Sequence, residues 1–318
     1  MRALVIGAGA IGQVYGRHLA QGGAQVTFLV KPEHEANTRS GLTLYRLNRS
    51  RRRRTEPERL TGYGVCTRVS DTASAQWDQV YLATSSTALR AGPWFGDLSS
   101  AIADATVVLL QPGPEDREFV VAHVPEHRIV QGIITVISYR APLPGETRFP
   151  EPGIAYWFPP LAPSPLSGAA ARVVAVVHAL RRGGLPARRI ADVASRGAFG
   201  AALLMPVIAV LESVGWRLDA LRHRAHLALA IRAGREAMDI VAQRRGRHPP
   251  LALRLAGHAL VVRSLLRVAP LATPFDLETY LRVHFTKVGD QTRDALRTYL
   301  AWGRTARLPT EALAKVSG

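Results

Sequence analysis

Ala3-Leu-Val-Ile-Gly-Ala-Gly-Ala-Ile-Gly12 is the stretch that decides the fold. Four apolar residues with no polar break predict a strand buried on both faces. Gly7, Gly9 and Gly12 follow at GxGxxG spacing. Ile11, Val14, Tyr15, His18 and Leu19 then recur at helical spacing as far as Gly22-Gly23, and Gln25–Val30 reads as a second strand. Strand, glycine turn, helix and strand in this order form a dinucleotide-binding unit. The first glycine permits a tight turn, the second lets a pyrophosphate approach the backbone, and the third seats the helix against the strand. The helix start then offers free N–H groups and a positive dipole end to phosphate. Gly7, Gly9, Ala10, Ile11 and Gly12 are therefore the first cofactor-binding candidates. A phosphate-free glycine turn is the alternative, and it leaves the register of three glycines without a purpose.

The residue ending the second strand selects the cofactor. An NAD site places Asp or Glu there for the ribose 2′-hydroxyl. Here it is Lys31, a cation suited to a 2′-phosphate, so NADP(H) is expected, although Glu33 is close by. Gln79–Thr84 and Ala105–Leu110 read as further buried strands, followed by Ser85-Ser-Thr87 and Gln111-Pro-Gly-Pro114. Ligands in open α/β sheets lie beyond the carboxyl ends of the strands. Ser85 and Gln111 thus become candidates on the nicotinamide side. Arg128–Ser138 reads as the next strand and its exit. Tyr139, Tyr156 and Trp157 either line a substrate pocket or cover a sheet edge. Gly168–Leu180 reads as a helix and Arg188–Val193 as a last short strand.

After about residue 190 only helical patterns remain: Gly197–Val214 with Pro206 kinking or breaking it, Leu218–Arg245, Leu251–Val268 and Asp276–Arg304. The fold class expected is α/β. An N-terminal Rossmann domain, a doubly wound parallel sheet, spans 1–190, and an all-helical C-terminal domain spans 191–318.

Composition bounds the partners. The 318 residues carry 41 basic and 24 acidic side chains, a net charge of +17. Only Lys31, Lys287 and Lys315 among the basic residues are lysines, so the charge reads as a compositional habit, and a nucleic-acid partner is not expected. Arg46–Arg59, with Arg51–Arg54 at its centre, is either an anion-binding strip or a solvated hairpin, and the second is the working expectation. Cys66 is the sole cysteine, which removes internal disulfides and cysteine-built zinc sites. His223 and His226 near Asp219 are crowded by Arg222 and Arg224, and no metal is assigned. The apolar run Gly197–Leu211 reads as too short for a membrane span, and no leader pattern precedes the first strand; a cytoplasmic protein is expected.

Several stretches resemble the ketopantoate reductase family. They are Val5–Gly12 with Val26–Lys31, Val108-Leu-Leu-Gln-Pro-Gly113, Leu204-Met-Pro-Val-Ile-Ala209, and Lys287-Val-Gly-Asp-Gln-Thr292 through Gly303 to Leu308-Pro309. The resemblance spans nearly the whole chain. It implies reduction of a 2-keto acid with NADPH in a cleft between two domains, a lysine general acid on the first C-terminal helix, and nearby asparagines and a late-helix glutamate that hold the substrate. It also implies, together with the apolar helix content, a homodimer through the helical domain. Counted back from Pro206, the lysine position is Gly197 and the asparagine positions are Ala201 and Met205. The Asn-Gly pair of the first domain corresponds to Pro112-Gly113, a frequent lysine to Ser85, and the glutamate to Gly289 with Asp290 beside it. Gly, Ala and Met cannot donate a proton to a ketone.

The replacement candidates are Arg196, Lys287 and Asp290. Arg196 neighbours the vacated position and suits a carboxylate or carbonyl oxygen; the alternative is a helix-start arginine facing water. On one continuous helix, His284, Lys287, Gln291 and Asp294 share a face beside an apolar line, where a lysine could act as an acid. The alternative is a solvated stripe. Two functional readings follow. One is an NADPH-dependent oxidoreductase acting on a carbonyl or imine other than ketopantoate. The other is a non-redox protein that keeps the nucleotide fold, with the cofactor structural or the site turned to cyclisation or elimination.

Overall fold

The computed structural model describes residues 1–49 and 56–317. Arg51–Arg54, the heart of the arginine strip, lie outside the described residues. Two compact units emerge. The first comprises Met1–Gln111 and Glu115–Val193; the second comprises Pro112–Pro114 and the chain from Ala194 onward.

Among the described residues, twelve strands build two sheets in the first unit. They are β1 (Arg2–Ile6), β2 (Gln25–Leu29), β3 (Leu42–Arg46), β4 (Glu58–Leu60), β5 (Gly64–Cys66), β6 (Gln79–Leu82), β7 (Thr106–Leu109), β8 (Ile129–Gly132), β9 (Ile137–Ala141), β10 (Gly153–Trp157), β11 (Ser164–Gly168) and β12 (Ala187–Arg189). The large sheet runs β12-β11-β8-β7-β6-β1-β2-β5, and the small one β4-β3-β10-β9. In the large sheet β1 pairs in parallel with β2 and β6, and the β8–β11 pair is antiparallel. Strand order reverses at β1, which opens a crevice between the carboxyl ends of β1 and β6.

The helices of this unit are α1 (Ala10–Gln21), α2 (Glu35–Arg39), α3 (Ser86–Leu89), α4 (Trp94–Ala101), α5 (Asp116–Val121) and α6 (Ala170–Arg182). β1 feeds both sides of the sheet by simple alternation. Ala3 and Val5 join Val14, Tyr15, Leu19 and Val173 in one core, and Leu4 and Ile6 join Val80, Phe95 and Leu98 in another. A strand buried on both faces has to be apolar throughout, which is why its sequence shows no alternation.

The C-terminal ends of α1 and α6 press together: a Cβ at Gly183 would stand 1.7 Å from the His18 carbonyl oxygen. His18 itself is fully buried. Its Nδ1 donates to the Gly183 carbonyl at 2.6 Å, and its ring meets Tyr156 and Phe158 edge-on. Burial, reinforced by Arg17 and Arg46, pushes this imidazole down to about 4. The unfolded chain therefore takes up the proton first, and stability is lost as pH falls from the ordinary histidine range toward 4. Between pH 7 and 5 the parent is expected to lose about 2 kcal/mol more than a His18→Gln variant in urea unfolding. Parallel losses in the two proteins would show that His18 does not set the acid limit.

The described part of the second unit has helices and no strand: α7 (Val193–Ser213), α8 (Leu218–Leu221), α9 (Arg224–Arg245), α10 (Leu251–Ala256), α11 (Ala259–Ala272), α12 (Leu277–Lys287), α13 (Gly289–Thr305) and α14 (Glu311–Val316). Four expectations change. The Leu218–Arg245 pattern is two helices, α8 and α9, parted at Arg222-His223. α7 continues through Pro206, and its 21 residues are long and apolar enough to cross a bilayer by length and composition. It nevertheless buries Phe199, Ala202, Ile208, Val210 and Leu211 in the cores of its own unit. The Leu251–Val268 pattern is two helices parted at Gly257-His258. Asp276–Arg304 is also two helices, parted at Val288, whose φ of −111° and ψ of 19° leave the helical region. Among the described residues no His, Cys, Asp or Glu cluster has the makings of a metal site.

Candidate functional site

The glycine loop lies where β1, β2 and β6 end. The Gly7 N–H donates to the Leu29 carbonyl at 2.8 Å, and the Ala83 N–H to the Ile6 carbonyl at 3.0 Å. Gly7 turns with φ +94°, a conformation open to glycine. A Cβ at Gly12 would sit 1.9 Å from the Gly7 carbonyl oxygen, so only glycine lets α1 rest on the loop. Gly9 differs from both. It caps α1 with φ −71°, and a Cβ there would meet nothing within 4 Å. The first α1 residue to close a helical bond onto the loop is Gln13, whose N–H reaches the Gly9 carbonyl at 2.9 Å. Ala10, Ile11 and Gly12 thus start the helix with N–H groups that have no partner within it. No acidic side chain stands in this first turn. Backbone donors, a dipole end and clear space at Gly9 together fit a pyrophosphate.

Lys31 follows β2 with its side chain 74 % exposed, and its Nζ is 4.0 Å from Glu33 Oε1. A second cation escaped the sequence reading. β2 and β5 pair in parallel with Leu29 opposite Cys66, and the Val30 N–H donates to the Cys66 carbonyl. Lys31 and Arg68 therefore both lie two residues beyond the last paired rung, at the ends of neighbouring strands. Arg68 also meets Asp71, Nη2 to Oδ1, at 2.9 Å. The link is visible only in the strand register, since 37 residues separate the two in sequence.

The β6 end is locked from within. Ser85 caps α3, its Oγ accepting from the Ala88 N–H at 3.2 Å and lying 3.1 Å from Thr87 Oγ1. The buried Gln111 amide donates to the Leu82 carbonyl at 2.9 Å and the Thr84 carbonyl at 2.8 Å, and its oxygen accepts from the Leu110 N–H. With its side chain so engaged, Gln111 shapes the 82–85 turn from behind. Ser86, Asp116 and Arg90 are further supports that sequence reasoning missed. Ser86 Oγ donates to the buried Asp116 carboxylate at 2.6 Å, and Arg90 Nε lies 3.8 Å from its other oxygen.

A family model for ketopantoate reductase PanE/ApbA matches residues 3–161, half of the chain and all of the glycine loop and the strand ends around it. The chain belongs to the ketopantoate reductase family. Solved structures share its fold. A 2-dehydropantoate 2-reductase from Geobacter metallireducens aligns with TM-score 0.74 and 16 % identity, covering 100 % of this chain and 98 % of that one. A probable 2-dehydropantoate 2-reductase from Bacillus subtilis aligns with TM-score 0.69 and 16 % identity, covering 100 % and 98 %. D-mandelate dehydrogenase with NADH and anilino(oxo)acetate aligns with TM-score 0.73 and 14 % identity, covering 100 % and 96 %. No curated protein matches the sequence.

The ketopantoate reductase resemblance puts the catalytic lysine at Gly197, which lies in α7 with no lysine on that helix. Of the replacement candidates, Arg196 is exposed on the first turns of α7. Lys287 ends α12 and Asp290 opens α13, so the Val288 break separates them and the single face imagined for residues 284–294 is not formed. Lys287 is exposed, not set beside an apolar line. Asp290 is almost fully exposed and pairs with Arg293 at 3.4 Å, which also reaches Glu212. His284 is the half-buried member of this group. It stacks on Tyr280, and burial, then the Lys287 charge, pushes it down to about 4. The tyrosines are committed to the small sheet. Tyr139 donates to Glu146 and accepts from Arg148, Tyr156 donates to Glu58, and burial raises both phenols.

Proposed function

We propose that the chain is a cytoplasmic, NADPH-dependent oxidoreductase that reduces a carbonyl or imine other than ketopantoate. The observation that carries this reading is the cofactor cradle: an α1 start with no side-chain cap, clear space at Gly9, and cations at the ends of both β2 and β5. The first turn of α1 holds the pyrophosphate through the N–H groups of Ala10, Ile11 and Gly12. Lys31 and Arg68 hold the 2′-phosphate, as cations suited to it at the ends of neighbouring strands. Ser85, kept in place by the Gln111 amide, borders the nicotinamide half. When bound, the reduced nicotinamide supplies hydride.

The proton is the harder part. A ketone oxygen needs a donor as the hydride arrives, whereas an iminium nitrogen comes with its proton already attached. A helix with glycine and alanine at the acid positions, and candidate groups that stand in water, suits the second substrate class. Within this reading Lys287 is the proton donor if one is required, and Arg196 and Asp290 orient a polar substrate.

The absent lysine also supports a second reading, in which NADP(H) is held as a structural ligand or the site performs cyclisation or elimination. Titration with NADPH and NADH, followed by oxidation assays across 2-keto acids and cyclic imines, separates the two. NADPH consumption that depends on an imine and is slow with ketopantoate is the expected result. Tight NADPH binding without oxidation by any member of either class would favour the non-redox reading.

A further inference from the structure

The helices α10 and α11 present more bare aliphatic surface than the rest of the described chain. No residue of α10 is buried, and Val262 is the only buried residue of α11. Leu251, Leu255, Leu260, Leu265, Val268 and Leu271 are each between 56 and 73 % exposed. At 100° per residue, Leu260, Leu271, Val268 and Leu265 span one arc of about 140° on α11, and Ser264 is the one polar residue inside it. Val262 and the half-buried Leu266 lie outside the arc, where they join Leu227 and Ile231 of α9. The helix thus has an apolar side for its own unit and a second apolar side that no described residue covers.

The charge of this segment has one sign. Between Asp239 and Asp276 the chain holds six arginines, the last two being Arg263 and Arg267, and no acidic residue. On α11, Arg267 and then Arg263 follow Leu260 around the helix, so both stand on one flank of the arc and none interrupts it. Arg267 is exposed, and Arg263 reaches the Arg222 carbonyl at 3.4 Å. An arginine on such a flank lays its stem along apolar surface and carries its charge outward.

We propose that the α10–α11 segment docks on an anionic lipid bilayer, lying in the plane of its surface. The aliphatic arc enters the outer acyl layer, and the flanking arginines meet the headgroup phosphates. Charge complementarity chooses this occupant. A leucine-rich arc edged by arginine is the pattern of an interfacial helix, and basic residues beside it add attraction to anionic lipid. A second copy of the chain would bring the same arginines and another +17 against this face. A protein groove is gripped mostly through aromatic or arginine anchors at the centre of the contact, and the arc centre has only Val268, Ser264 and Leu271. A fluid acyl layer asks for apolar area without a particular shape.

Co-sedimentation of the full chain with vesicles tests this. One set is phosphatidylglycerol and phosphatidylcholine in equal parts, the other phosphatidylcholine alone. The expected result is binding to the mixed vesicles that fades toward near-molar salt, and binding about 10-fold weaker or less on phosphatidylcholine. Val268→Asp, at the arc centre, should weaken binding to the mixed vesicles by about 10-fold or more, and the milder Val268→Ser by less. Arg267→Gln should weaken it by about five-fold. Melting temperatures should stay close to the parent, because both side chains are exposed. A parent that stays in solution with the mixed vesicles at low salt overturns the proposal. So does binding indifferent to both Val268 substitutions, since the whole chain's charge would then adsorb without this face. Equal binding to the two vesicle types removes the anionic surface and overturns it as well. A dimer that forms without vesicles and is broken by Val268→Asp assigns the face to a second copy and also overturns it.

Discussion

A Gly9→Ala variant folds like the parent and loses its dinucleotide, whereas Gly12→Ala loses stability first. The two glycines lie three residues apart in one loop but answer to different constraints. At Gly9 the backbone angles are ordinary for alanine and the space for a methyl group is empty. The substitution should cost about 1 kcal/mol of stability or less. The methyl then stands where the pyrophosphate must approach, and NADPH affinity should fall by roughly 10- to 100-fold. At Gly12 the methyl would overlap the Gly7 carbonyl, and α1 has to leave its seat on β1. Overpacking of this kind costs about 3 kcal/mol. Thermal melts and fluorescence titrations of both variants check the pair. Parental NADPH affinity in Gly9→Ala would remove the loop from the cofactor site.

The second large effect is expected at Lys31. Its side chain is well exposed, so Lys31→Ala should leave the melting temperature unchanged. A charge-assisted hydrogen bond to phosphate is worth about 1.5–3 kcal/mol, and NADPH should bind roughly 10- to 100-fold more weakly. NADH, which has no 2′-phosphate, should bind as before. Arg68→Ala should act in the same direction, and the difference between the two cofactors should shrink at high salt, since both cations face water. Equal losses for NADPH and NADH would mean that Lys31 acts on something other than the 2′-phosphate. A parent that prefers NADH would hand the ribose to Glu33.

What was legible in the sequence was what is local. β1, the glycine loop, α1 and β2 follow one another directly, and each glycine's role is set by neighbours within a dozen residues. The ends of β6 and β7 were readable for the same reason. Non-local pairing was not. The run from Arg128 to Ser138 reads as one strand and its exit; the strand is β8, but the exit already enters β9 of the second sheet, and nothing in the apolar pattern marks that. Arg68 gains its place beside Lys31 from the β2–β5 register alone. Helix phase failed where backbone breaks went unseen. Apolar spacing runs through Val288 without a proline, so counting 100° per residue put Lys287 and Asp294 on one face of a helix that ends between them. Gly257-His258 interrupts α10 and α11 in the same way. Burial of charged groups was equally hidden. Lys287 ends a helix in water, while Asp116, which drew no notice, is buried under Ser86.

The contact between His18 and Gly183 bears on the order in which the protein is made. The stretch that matches the family model stops at residue 161. A chain halted there by the ribosome holds every glycine of the loop together with Lys31 and Arg68. It lacks β11 and β12, which extend the large sheet from β8, and it lacks α6, against which α1 rests. The His18 ring has no carbonyl to meet until Gly183 is synthesised. The seat of α1, whose sequence lies within the first two dozen residues, is thus completed by the last helix of its unit. The core behind the glycine loop therefore closes only after more than half of the chain has been made.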